Sequence, residues 1–135
     1  MRPFITAIIA AAAIAAVPAA AKEKPTPEAK LEKLLEGRVA GEPRDCITLS
    51  QARSSQIIDG TAIVYRVGST LWVNRPRSGA ESLDDDDILV TKTTGSQLCS
   101  IDTVQLHDRT GHFWRGFVSL GEFVPYRKVD TAAAN

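Results

Sequence analysis

Three runs of β-branched and aromatic residues, separated by Asp59-Gly60 and Gly68-Ser69, constrain this chain more than any other feature. Asp-Gly suits a two-residue type I′ hairpin turn, and a glycine in first position suits type II′. With these dipeptides as pivots, strands over 54–58, 61–67 and 70–74 form an antiparallel meander of defined register. Ile57 then faces Ala62, Val64 faces Val73, and Tyr65 pairs with Trp72. Ile57, Ala62, Val64, Leu71 and Val73 make one apolar face, and Ile63, Tyr65, Val67 and Trp72 populate the other. A sheet apolar on both sides has to curl on itself or be covered. The expected fold class is therefore all-β, a small barrel or strongly bent antiparallel sheet, with one short N-terminal amphipathic helix.

That helix is expected over 27–36. Thr26 can cap it, Pro27 suits its first position, Leu31, Leu34 and Leu35 share one face, and Gly37 stops it. Its leucine stripe would lie over an open edge or mouth of the sheet. Residues 75–87 break the strand pattern and read as a loop with room for a helical turn. A strand over 88–94 follows, with a partner starting near Gln97 or Asp102 and running to His107. Beyond a turn at 108–111 lies an aromatic stretch over 113–126. Glycines at 111, 116 and 121 would let its strands bend at barrel corners.

The N-terminus sets the address. Arg2 precedes an apolar run over 4–17, and small residues end at Ala21, which is the order of a secretory signal peptide. The run is about 14 residues, short of the roughly 20 needed to cross a bilayer. The expected division is a signal peptide over 1–21, a spacer over 22–26, one β-rich domain over 27–130 and a disordered tail over 131–135. An uncleaved anchor is the alternative. No cysteine lies near the cleavage site, which argues against a lipoprotein. In an oxidising compartment the chain's two cysteines, Cys46 and Cys99, are most simply one disulfide. Closing a loop of that length contributes roughly 4 kcal/mol in the chain-entropy model. A redox-active cysteine would want a C-x-x-C pair, which is absent.

Charge excludes one class of partner. The whole chain balances 16 basic against 16 acidic residues, and loss of Arg2 leaves the mature part marginally acidic. Phosphate backbones need a clustered basic surplus, so no nucleic acid is expected.

Chemistry-bearing residues are few. His107, Asp108 and His112 form the one histidine–carboxylate constellation, but their spacing matches no usual metal motif, and histidines beside a turn are ordinarily surface residues. The run Asp84, Asp85, Asp86 and Asp87 looks like a calcium loop, yet four consecutive carboxylates cannot converge on one ion. It reads as a solvated loop, with Arg75 and Arg77 placed to offset it. No nucleophile elbow, P-loop or dinucleotide fingerprint is present, and no cofactor or metal is expected. The aromatics fall almost wholly in the predicted sheet and read as core. If Trp72 or Trp114 were exposed beside Arg75 or Arg115, it would be a stacking platform for a glycan or peptide. The ligand-binding candidates are Trp72, Asn74, Arg75 and Arg77, delivered by one strand end into the 75–87 loop, with Pro76 stiffening it.

Three segments, CITLSQARSSQIIDGTAIVYRVGSTLWVNRPRSG, TTGSQLCSIDTVQL and RGFVSLGEFVPY, resemble a family of small exported bacterial proteins known only as a domain of unknown function. The likeness spans 31–127. It implies a periplasmic address in a Gram-negative cell, and its two cysteines correspond to Cys46 and Cys99. It implies no activity, cofactor or catalytic residue. The expected function is a non-enzymatic binding or structural module of the cell envelope, with an envelope protein or a glycan as partner and no membrane span after signal cleavage. The alternative is a small hydrolase or metal-dependent enzyme using His107, Asp108 and His112. The intact mass of exported material is expected to begin at Lys22, and a mature chain retaining 4–17 contradicts the signal assignment.

Overall fold

The computed structural model describes residues 23–129, with positions 13, 15 and 16 in isolation. Apart from those three positions, the expected signal peptide lies outside the described residues, as does the expected tail over 131–135. Helix α1 (Pro27–Leu34) begins where its signals place it. The Thr26 hydroxyl accepts from the Ala29 N–H at 3.2 Å, and Pro27 takes the first helical position. It ends two residues earlier than expected, with the Leu35 N–H donating to the Leu31 carbonyl.

Ten strands follow in chain order: β1 (Arg38–Ala40), β2 (Cys46–Thr48), β3 (Ala52–Ile58), β4 (Ala62–Val67), β5 (Thr70–Asn74), β6 (Ile88–Thr91), β7 (Gln97–Cys99), β8 (Thr103–His107), β9 (Trp114–Ser119) and β10 (Phe123–Lys128). They make three antiparallel sheets: β1-β10-β5-β4-β3, β6-β8-β9, and the pair β2-β7. The all-β expectation with one short N-terminal helix holds, and the sheets do not close into a barrel. The two cysteines sit opposite one another in the β2-β7 pair and form the Cys46–Cys99 disulfide. That pairing decides between the two starts expected for the partner of the 88–94 strand, in favour of the one near Asp102. Gln97 opens β7, the partner of β2, while β6 pairs with β8, so Ile88 faces His107.

The second hairpin of the meander has the expected register. Val67 pairs with Thr70 across Gly68-Ser69, Val64 with Val73, and Tyr65 with Trp72. At the first hairpin the register is one residue away from expectation. Ile57 pairs with Ile63 and Ile58 with Ala62, leaving Asp59, Gly60 and Thr61 as a three-residue loop. Gly60 alone in that loop has positive φ, +59°, whereas a type I′ turn needs it at Asp59 as well. The loop is fixed from outside. The Gly60 N–H donates to the Leu83 carbonyl at 3.0 Å, and the Asp85 N–H donates to Asp59 Oδ1 at 2.6 Å. Because side chains alternate, the slip moves Ile57 to the face of Ile63, Tyr65 and Trp72, and Ile58 to the face of Ala62, Val64, Leu71 and Val73.

Each face has its own cover. Leu31 of α1 is buried with Ile58, Ala62, Val64, Leu71 and Val73, and Leu34 and Leu35 pack at the margin. The opposite face packs on Val104, Leu106, Val118 and Leu120, with Ile47 and Leu98 of the disulfide pair closing one end. The five- and three-stranded sheets are tied along one side, where Ser78 bridges to Ser119. Along the other side β3 and β6 are both outermost strands and stay unpaired with each other.

Replacing Gly60 by Val is expected to destabilise the fold by about 1–2 kcal/mol, through backbone strain alone, since a side chain there meets no atom within 4 Å. Denaturant unfolding with an unchanged m-value measures it. Thiol labelling of denatured, unreduced protein is expected to find no free cysteine.

Candidate functional site

Strand β5 delivers the four sequence-chosen residues to different places. Trp72 is 9% exposed and belongs to the core, so it offers no stacking platform. Asn74 is fully buried. Its side chain accepts from the Gly121 N–H at 2.9 Å and donates to the Gly121 carbonyl at 2.7 Å, which spends its recognition capacity inside the protein. Backbone is so close here that a Cβ at Gly121 would collide with the Arg75 carbonyl. Arg77 donates to the carbonyls of Leu120 and Ser100 at 2.8 and 2.6 Å. Arg75 pairs with Glu28 of α1 through two contacts, 2.8 and 3.2 Å. The hydrogen bond from Arg75 holds the exposed Glu28 carboxyl below the usual glutamate range.

Neither arginine offsets the aspartate run, contrary to expectation. Asp86 pairs with Arg109 instead. Asp87, buried, takes Arg115, whose Nη1 contacts both carboxylate oxygens. Asp84 and Asp59 each accept a loop N–H, from Asp86 and Asp85. Among the described residues Asp59, Asp84 and Asp85 form the one three-carboxylate group close enough to share an ion, and loop-capping accounts for its geometry.

His107, Asp108 and His112 do not assemble three ligand atoms. They shape the β8–β9 hairpin. Asp108 Oδ2 accepts from the Gly111 N–H at 2.6 Å, and the His112 N–H donates to the Asp108 carbonyl at 2.8 Å. His112 closes the loop at φ +59°. The His107 ring has Nδ1 3.3 Å from the His112 carbonyl and Nε2 3.2 Å from Gln105 Oε1.

The exposed aromatics lie elsewhere. Phe113, Trp114 and Phe117 are 72%, 59% and 52% exposed. In a regular strand 114 and 117 point to opposite faces, but β9 carries a bulge. Leu106 pairs with Gly116 and His107 with Trp114, leaving Arg115 as the extra residue. Gly116 takes φ +151° there. The bulge brings Trp114 and Phe117 to one face, alongside His107 and Gln105 of β8 and, opposite those, Ile88 and Val90 of β6. The other face of this sheet carries the buried Val104, Leu106 and Val118. Gly116 was the sequence signal for this, read there only as a point of bending.

Asn74→Ala is expected to cost about 2–4 kcal/mol, because it leaves two buried groups of Gly121 unpaired. Arg75→Ala should stay within about 1 kcal/mol. A carboxyl depressed by folding adds stability above its unfolded pKa that is lost on acidification. Any difference in Tm between wild type and Arg75→Ala should thus shrink as pH falls well below 4.5, the ordinary Glu28 value. Thermal melts at pH 7 and pH 3 check the sign. Comparison of the chain with family models, with curated proteins and with solved structures finds no match.

Proposed function

We propose that this chain is a non-enzymatic binding module of the Gram-negative cell envelope, exported to the periplasm, that holds a protein partner on the outer face of the β6-β8-β9 sheet. The observation that carries this is the exposed pair Trp114 and Phe117, brought to one face by the Arg115 bulge, with Ile88 and Val90 on the same face beyond the intervening β8. Burying such side chains stabilises a protein by about 1.5–3 kcal/mol each relative to leaving them in water, and contiguous exposed aromatics mark interaction sites. A protein partner suits this face better than a glycan. A sugar needs many free hydrogen-bonding groups, whereas Gln105 and His107, the central polar pair, lie within hydrogen-bonding distance of each other. The disulfide supports an oxidising compartment. Among the described residues no helix is long and apolar enough to cross a membrane.

A photo-crosslinker at Thr103, exposed on the same outer face of β8, is expected to capture a discrete protein in intact envelopes, and one at Glu32 on α1 is not. The double substitution Trp114→Ala with Phe117→Ala should abolish that capture while costing about 2 kcal/mol or less, because each residue is more than half exposed. Retained capture in the double variant, or labelling of glycan alone, contradicts the assignment.

A further inference from the structure

The open side of the fold is a cleft between the free edges of β3 and β6. One part encloses about 670 Å³, between residues 55–59 and the start of β6. It continues, through shared walls at Ser55 and Leu89, into about 280 Å³ lined by 52–55, Thr91 and Tyr65. Strand β3 pairs only with β4, and β6 only with β8. Among the described residues, 54–57 and 88–91 make no other main-chain hydrogen bond. Alternate residues of an antiparallel edge turn their N–H and C=O groups outward, so both walls offer unused ladder groups.

Native proteins blunt such edges with charge, proline or a covering segment. Here β6 reads Ile-Leu-Val-Thr, and residues 54–58 of β3 read Ser-Ser-Gln-Ile-Ile, with neither charge nor proline; Arg53, at a bulge, blunts only the start of β3. A second, independent observation lies inside the cleft. Tyr65 lines it, and the Tyr65 hydroxyl is buried with no hydrogen-bond partner. Buried hydroxyls nearly always have one. At the other end the wall carries Asp59 and Asp85 together with Lys30 and Arg109, and Asp84 adds a carboxylate beside the first two. Asp59, Asp84 and Asp85 form no ion pair among the described residues, while Asp86 and Asp87 are matched by Arg109 and Arg115.

We propose that this cleft takes an extended segment of a protein partner as an added strand between β3 and β6, with a basic residue at the Asp59–Asp85 end and a hydrogen bond to the Tyr65 hydroxyl. The added strand would join the five- and three-stranded sheets into one. Main-chain pairing supplies affinity, and alternate side chains supply choice, one set toward Tyr65 and Leu89 and the other toward the outer face beside Ile88 and Val90. The lengths of β3 and β6 match a segment of about five residues. This rests on the partner being a protein, and it uses an edge of the sheet rather than the Trp114–Phe117 face.

The probe is a blocked seven-residue peptide, one lysine followed by alternating valine and threonine, titrated into the disulfide-bonded mature chain under hydrogen exchange. Saturating peptide is expected to slow exchange in both β3 and β6 by about tenfold or more. The same peptide N-methylated at alternate amides should give no protection, and lysine replaced by glutamate should bind about tenfold more weakly. Tyr65→Phe removes only an unpartnered oxygen, so the fold should persist while peptide affinity falls several-fold. Trp114→Ala with Phe117→Ala should bind the peptide as wild type does, which separates a failed cleft from a failed outer face. Absence of protection in either strand, equal binding of the N-methylated peptide, or unchanged affinity in Tyr65→Phe overturns the proposal.

Discussion

Both faces of the β3-β4-β5 meander are apolar, and every other part of the molecule answers to the need to keep both from water. One face takes α1, whose Leu31 is buried among Ile58, Ala62, Val64, Leu71 and Val73. The other takes two further sheets, through Val104, Leu106, Val118, Leu120, Ile47 and Leu98. A domain with about a hundred described residues has only a modest core, so the disulfide adds a stabilising constraint where β2 and β7 make a short pair.

The two sides of this sandwich are treated unequally. On one side the chain leaving β5 stitches the sheets together: Asn74 brackets the Gly121 peptide, Arg77 reaches the carbonyls of Leu120 and Ser100, and Ser78 bridges to Ser119. The two Asn74–Gly121 hydrogen bonds are buried, and such bonds are firm because losing one partner strands the other. On the opposite side, among the described residues, only the hairpin tip at 59–61 is tied, to the 83–85 segment, and the strand edges beside it have no ladder partner there.

The β9 bulge shows how one extra residue redirects a surface. Without it Trp114 and Phe117 would lie on opposite faces, one of them in the core. With it both stand in water, and Arg115 is freed to meet the buried carboxylate of Asp87. Bulges of this kind re-aim side chains at sheet edges. The tertiary arrangement therefore places apolar rings outward where the alternating pattern alone would have hidden one.

Much of this was legible in the chain itself. The cap at Thr26, the leucine stripe, the Gly68-Ser69 turn, the Val64–Val73 and Tyr65–Trp72 pairs and the cysteine bridge follow from local rules, because caps, two-residue turns and side-chain alternation act over a few residues. The Asp59–Thr61 loop did not, since hydrogen bonds to the Leu83 carbonyl and from the Asp85 N–H select its shape, and those partners are distant in sequence. The intended roles of Asn74, Arg75 and Arg77 failed for the same reason: their partners Gly121, Glu28, Leu120 and Ser100 are brought near only by folding. Composition and periodicity determined that this chain is a disulfide-tied β protein with one helix. Which aromatics stay dry, which strand edges stay open and which carboxylates lack a cation were decided by contacts between segments far apart in the chain, which no local pattern encodes.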